Sequence, residues 1–320
     1  MTTQWGGAGP VASGPSPTVR QAAVAGSFYP SGPDRLRALV GRLLAEAGAG
    51  YPLPAGLGDP VGLLVPHAGL EYSGVVAAAA WRLLAAGREV TPAGAPPTIV
   101  ILGTNHRAAW LDGIAAWEHG AWQTPLGAVA VDAVLAAAIV ALGPPFVIDP
   151  DAHLDEHSIE VQLPILQAVA PGARIVPLAV SLGVGGDAIA AGTGLGELMA
   201  ARRAAGERIL LAISTDMAHY PSHDHASGVT GVLLPVILEA DAAALAEREA
   251  AVRRQGIPGL ACGMCGIEPA VVGLAALTAA GAAPGVALAA ATSADAGGPL
   301  DRTVGYLSVA YDEAPRGSGG

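Results

Sequence analysis

RILLAIS at 208–214, running straight into TDMAHY at 215–220, is the stretch that decides the fold. Its apolar run is too short for a helix and shows no polar alternation, so it reads as a strand buried on both faces. Such strands belong to parallel sheets covered by helices. Polar residues follow at once, with Asp216 and His219 just past the strand. The same design recurs in VGLLV (61–65) ahead of PHAGLEYSG (66–74), and in TIVIL (98–102) ahead of GTNHR (103–107). RIVPLAV (174–180), GVALAAAT (285–292) and VGYLSVAY (304–311) are further buried strands. Helical stretches separate them at 33–48, 73–86, 131–142, 156–169, 186–205, 227–254 and 267–280. This alternation predicts one α/β domain with a mainly parallel or mixed central sheet flanked by helices.

The chain has 320 residues, 52% of them hydrophobic and 13% charged, which excludes a disordered chain and predicts a sizeable core. All 16 basic residues are arginine, and the net charge of −11 repels phosphate backbones and anionic headgroups, so neither nucleic acid nor a membrane surface is an expected partner. Residues 1–19 lack a charged start and an apolar run, so they read as a disordered lead-in rather than a signal peptide. The domain is expected over 20–313, with a flexible tail at 314–320. The uncharged run 269–292 has membrane-spanning length, but Gly281 and Pro284-Gly285 break it into a helix and a strand. Cys262 and Cys265 are the two cysteines, too few for a disulfide framework, and a cytoplasmic location fits best.

Open α/β sheets bind ligands beyond the carboxyl ends of their strands, and His67, His106, Asp216 and His219 all fall there. Imidazoles from separate loops plus one anionic ligand form an open site for a first-row metal. Cys265 would be favoured as thiolate by the start of the helix at 267 and by a bound cation, while Cys262 and Glu268 are competing third ligands. In DEHSIE (155–160), Asp155 or Ser158 can cap the following helix, leaving His157 as a further site residue. His223 and His225 read as surface residues, and His119 and His153 carry no pattern.

AGSFYP (25–30), VPHAGLEYSG (65–74), ILGTNHR (101–107), DEHSIEVQLP (155–164), STDMAHY (214–220) and CGIEP (265–269), in this order, resemble the Memo family, whose prokaryotic members are often called AmmeMemoRadiSam system protein B. The resemblance spans about residues 20–311 and implies a fold similar to class III extradiol dioxygenases. By motif it implies a metal held by His67, His106 and Cys265, since Cys265 has the C-G-x-x-P context and Cys262 does not. Fe(II) is the first choice of ion and copper the second. Zinc is less favoured, because no H-E-x-x-H hydrolase signature is present. His219, Asp216 and His157 would stand beside the metal as acid/base groups. Two departures alter the charge there: Glu268, and Arg107 after His106. The implied function is a metal-dependent oxidoreductase acting on a small-molecule substrate, with aromatic compounds the first to try. The alternative is a non-catalytic metal-binding or scaffold protein. A functional link to AMMECR1-domain and radical SAM proteins is implied as well.

Overall fold

All six apolar runs form strands, and they share one sheet. The computed structural model describes residues 18–57, 60–85 and 96–314. Its strands are β1 (Val19–Arg20), β2 (Gly62–Val65), β3 (Thr98–Thr104), β4 (Gly113–Ala116), β5 (Ala121–Thr124), β6 (Gly127–Ala130), β7 (Phe146–Ile148), β8 (Arg174–Ser181), β9 (Ile209–Ser214), β10 (Val286–Thr292) and β11 (Gly305–Tyr311). The α-helices described are α1 (Pro33–Gly50), α2 (Leu70–Trp81), α3 (Ala133–Val140), α4 (Leu163–Val169), α5 (Gly186–Ala204), α6 (His223–Leu238), α7 (Ala242–Arg254) and α8 (Ile267–Ala279).

The main sheet runs β10-β11-β2-β9-β3-β8-β4-β7, and β1-β5-β6 form a small second sheet. The centre β2-β9-β3-β8 is parallel, whereas β11 joins β2, and β4 joins β8, antiparallel. The domain is therefore α/β with a mixed sheet. Alternate residues feed two cores. Leu64, Val100, Leu102, Leu211 and Ile213 pack on one face, with residues from α5 to α8, and Leu63, Val65, Ile99, Ile101 and Ala212 on the other, with residues from α1, α2 and α4. On the first face α5 and α8 nearly touch, and a Cβ on Gly196 would stand 2.1 Å from the Ala276 carbonyl oxygen.

Register positions the site. Val65 and Gly103 both lie opposite Ser214, so three adjacent parallel strands end at one level and release His67, His106 and Asp216 into one crevice.

Several expected elements differ. The 227–254 helix is two helices, broken where Ala240 takes φ of +51° and Asp241 accepts from Ala244 N to cap α7. Residues 155–159 are not helical, and neither Asp155 nor Ser158 caps α4. Ser158 Oγ instead donates to Thr104 O, and regular α-helix starts only at Leu163 after a 3₁₀ turn at Glu160–Gln162. The 269–292 run is α8 followed by β10, and among the described residues no helix is long and apolar enough to cross a membrane. His223 and His225 lie in the first turn of α6. Of the expected lead-in, 1–17 lie outside the described residues, while Val19 pairs with Ala121. In the expected tail 315–320 lie outside them, as does residue 86 of the helical stretch expected at 73–86.

Candidate metal centre

His67 and His106 each sit two residues beyond a strand, and their ring centroids are 5.4 Å apart with the rings edge to face. Cys265, two residues ahead of α8, brings its Sγ to 3.2 Å from His67 Nε2. One ligand atom from each of His67, His106 and Cys265 lies within 4.8 Å of the others. The same measure groups His106 with Glu156 and His157, and Asp216 with His219 and Cys265. All six site residues expected from the sequence thus meet in one place. Concavities elsewhere, such as one of about 460 Å³ lined by Pro145, Phe146 and Ala191, contain none of them.

Hydrogen-bond counting assigns the tautomers. Ser214 Oγ donates to Ser158 O at 2.6 Å and accepts from Gln162 Nε2 at 2.9 Å, so towards His67 Nδ1, 3.1 Å away, it can only accept. His67 therefore carries its proton on Nδ1 and turns a bare Nε2 to Cys265. Glu156 does the same for His106. Its Oε1 accepts from His106 Nδ1 at 2.9 Å and its Oε2 from His106 N at 2.6 Å. Oε1 also accepts from His157 N and Ser158 N. Burial alone would raise the Glu156 pKa. The bond from His106 and the neighbouring donors outweigh it and hold the carboxylate well below the usual range. His157 Nδ1 lies 3.2 Å from Oε1 but makes no hydrogen bond.

Burial governs the remaining groups. It pushes His67 well below its ordinary pKa, with help from His157 and His106, and pushes His157 and His219 down to about 4. Asp216 rises to about 7, although its Oδ1 accepts from His67 N at 2.7 Å and Ala68 N at 3.2 Å. His219 Nε2 is 3.9 Å from Asp216 Oδ2, beyond hydrogen-bonding range, and stands buried without a partner. His219 is therefore neutral at pH 7, and it is the Asp216 carboxyl that titrates near there. Without a bound cation Cys265 is a thiol. Burial and the Asp216 carboxylate raise the Cys265 thiol far above its ordinary value, which outweighs the helix start and the 3.3 Å bond from Asp216 N. Cys262 is pushed up to about 11 by burial and Glu249, and its sulfur belongs to none of the ligand groups.

Residues 20–310 match the family profile described as Memo-like protein. The chain belongs to the Memo family. It is 35% identical over 297 residues to a MEMO1 family protein of Methanopyrus kandleri, covering 91% of this chain and 98% of that one. A MEMO1 family protein of Methanothermobacter thermautotrophicus is also 35% identical over 297 residues, covering 91% and 99%. One from Aquifex aeolicus is 32% identical over 296 residues, covering 92% and 99%. The two charge departures in this Memo-family chain fall differently. Glu268 accepts from Leu182 N at 3.1 Å at the end of β8 and joins no ligand group among the described residues, so it ties α8 to the sheet. Arg107 is exposed, and its charge opposes protonation of His157.

Sequence reasoning treated the acids of DEHSIE as caps and passed over Glu156, Ser214 and Gln162. Gln162 donates to Pro66 O and Ser214 Oγ and accepts from Trp81 Nε1. One usable signal was present: an acid beside a histidine directly after the apolar-poor turn ahead of α4, where no helix end needed it.

Proposed function

We propose that this Memo-family chain binds one transition metal through His67 Nε2, His106 Nε2 and Cys265 Sγ, and is a metal-dependent oxidoreductase of extradiol dioxygenase-like architecture. The convergence of one ligand atom from each of these three residues, with Ser214 and Glu156 leaving Nε2 of both imidazoles unprotonated, carries the reading. Ligands about 2.0–2.1 Å and 2.3 Å from a shared ion stand roughly 3.1–3.6 Å apart at angles of 90–109°. The 3.2 Å between His67 Nε2 and Cys265 Sγ falls in that range. The family resemblance puts Fe(II) first and copper second, and a set of two imidazoles and a thiolate accommodates copper and zinc as well.

A bound ion would act as a Lewis acid, lowering the pKa of a phenol or water and holding two reactants together. The protein supplies the rest. His219, neutral near pH 7 and with a partnerless Nε2, accepts a proton from the substrate. Asp216 braces the His67 loop through two backbone amides and offers a second carrier for that proton. Phe28, its ring centroid 4.6 Å from that of His157, gives the crevice an apolar wall suited to an aromatic small molecule. Two cysteines left as free thiols suit a cytoplasmic setting.

The test is anaerobic purification with metal analysis of wild type and of His67→Ala, His106→Ala and Cys265→Ala, followed by oxygen uptake on a catechol panel. One ion per wild-type chain, lost in the variants, is expected. A triple variant that keeps the wild-type stoichiometry would overturn the assignment. A loaded wild type that consumes no oxygen with any catechol or phenol favours the scaffold reading.

A further inference from the structure

The AGSFYP motif supplies no ligand, and Arg20 lies far from the ligands in sequence, yet both are tied to the centre. β1 lies alongside β5, and this places the fully buried Arg20 side chain beneath the turn that carries Glu156. Its Nε donates to His153 O at 2.7 Å, its Nη2 to Glu156 O at 2.5 Å, and its Nη1 pairs with Glu160 Oε2 at 2.5 Å. Its guanidinium covers the Trp122 ring, with Cζ 4.1 Å from the centroid. Glu160 reaches back: its carboxylate accepts from Ala23 N, Val24 N and Tyr29 OH. Phe28 O accepts from Leu70 N just past the His67 loop. Residues 20–29 thus bind the turn that carries Glu156 and His157, and the start of α2 just past the His67 loop.

We propose that Arg20 is a positioning residue for the metal centre, fixing the backbone of Glu156 so that its carboxylate holds His106 with Nε2 free to ligate. This rests on the reading of His106 as a ligand. A carboxylate that receives four N–H groups from three residues is aimed by its own backbone, and Arg20 grips that backbone at the Glu156 carbonyl. Only a planar fork can reach two carbonyls and a carboxylate together, which a lysine ammonium cannot do. A buried ion pair contributes little net stability against an apolar replacement, so its use here fits geometry better than strength.

The experiment compares wild type, Arg20→Lys and Glu160→Gln, with Asp132→Asn as a control at the far end of β3, where Asp132 caps α3 and accepts from Thr98 Oγ1. Two quantities are read: Co(II) affinity by equilibrium dialysis, and the His106 tautomer by side-chain ¹⁵N NMR of the ion-free protein. Arg20→Lys should weaken Co(II) binding about 10- to 100-fold, the usual effect of losing a partner behind a ligand, and move His106 away from a pure Nδ1–H form. Asp132→Asn should lower the melting temperature while leaving both readouts unchanged. Wild-type affinity and tautomer in Arg20→Lys would overturn the proposal, and if that variant does not fold, Glu160→Gln decides by the same two readouts. A wild type that binds no Co(II) would sink the metal reading alone, since the tautomer of His106 is read without any ion.

Discussion

Ser214 Oγ stands 3.1 Å from His67 Nδ1, and because its own proton goes to Ser158 O it can only accept there. A hydroxyl at the end of one strand thus decides which nitrogen of the neighbouring strand's histidine faces Cys265. The chemistry of the centre is set one layer behind the atoms that would perform it.

The two cysteines should separate cleanly. Cys265→Ser is expected to lose the bound ion, because its Sγ lies in the ligand group, and Cys262→Ser to keep it. Metal content per folded chain checks this, and equal losses would point to a C-x-x-C site instead.

His219→Gln should leave the ion in place but cut turnover about 10²- to 10⁴-fold, the usual contribution of a general acid or base. Oxygen uptake by the loaded variant measures it. A lowered melting temperature with no selective rate loss would make His219 a structural group.

His153 predicts a sensitivity to acid. It is fully buried, its Nε2 donates to Ala115 O at 3.0 Å, and burial, then Arg20, push its pKa down to about 3. The unfolded chain protonates this histidine near pH 6.5, whereas the folded chain resists. Its contribution is therefore complete above about pH 6.5 and declines as pH falls towards 3, by at most about 1.4 kcal/mol per pH unit. Denaturant titrations between pH 4 and 7 should show a shallower acid slope for His153→Gln than for wild type, and identical slopes would refute the idea.

Two glycines of α5 should respond oppositely to alanine. At Gly196 the new methyl would stand 2.1 Å from Ala276 O, forcing α5 off α8 at a cost of about 1–3 kcal/mol. At Gly194 it meets nothing within 4 Å and should stabilise the helix by up to about 1 kcal/mol. Melting temperatures of the two variants moving the same way would count against this packing.

The central strands were legible because each is a continuous apolar run ended by a polar residue, and His67, His106, Asp216 and His219 were legible by standing there. β4 to β7 were not, since GIAA, AWQT, GAVA and FVI are only three or four residues long, and GIAA and GAVA are half alanine, which carries little strand preference. The break at Ala240 escaped notice inside an alanine-rich helical stretch, although Asp241 was a readable cap. Glu156 offers only the local signal of an acid beside a histidine, and Arg20 offers none, because its contact with Glu156 spans 136 residues of chain. Cys265 was set apart from Cys262 only by its motif, since both sit in the same loop.

The place of β11 has a consequence for biosynthesis. This strand, last in the described chain, is inserted between β10 and β2, so it occupies an interior row rather than closing an edge. A chain whose synthesis has not yet reached Gly305, or one cut short before it, would hold His67, His106 and Cys265 yet leave β2 unpaired on the side away from β9. The loop bearing His67 hangs from β2, so a nascent chain would own every donor atom without the cradle that aligns them. Alignment of the pocket should therefore wait on β11, and a chain that lacks Gly305–Tyr311 should hold an ion more weakly than one that has it.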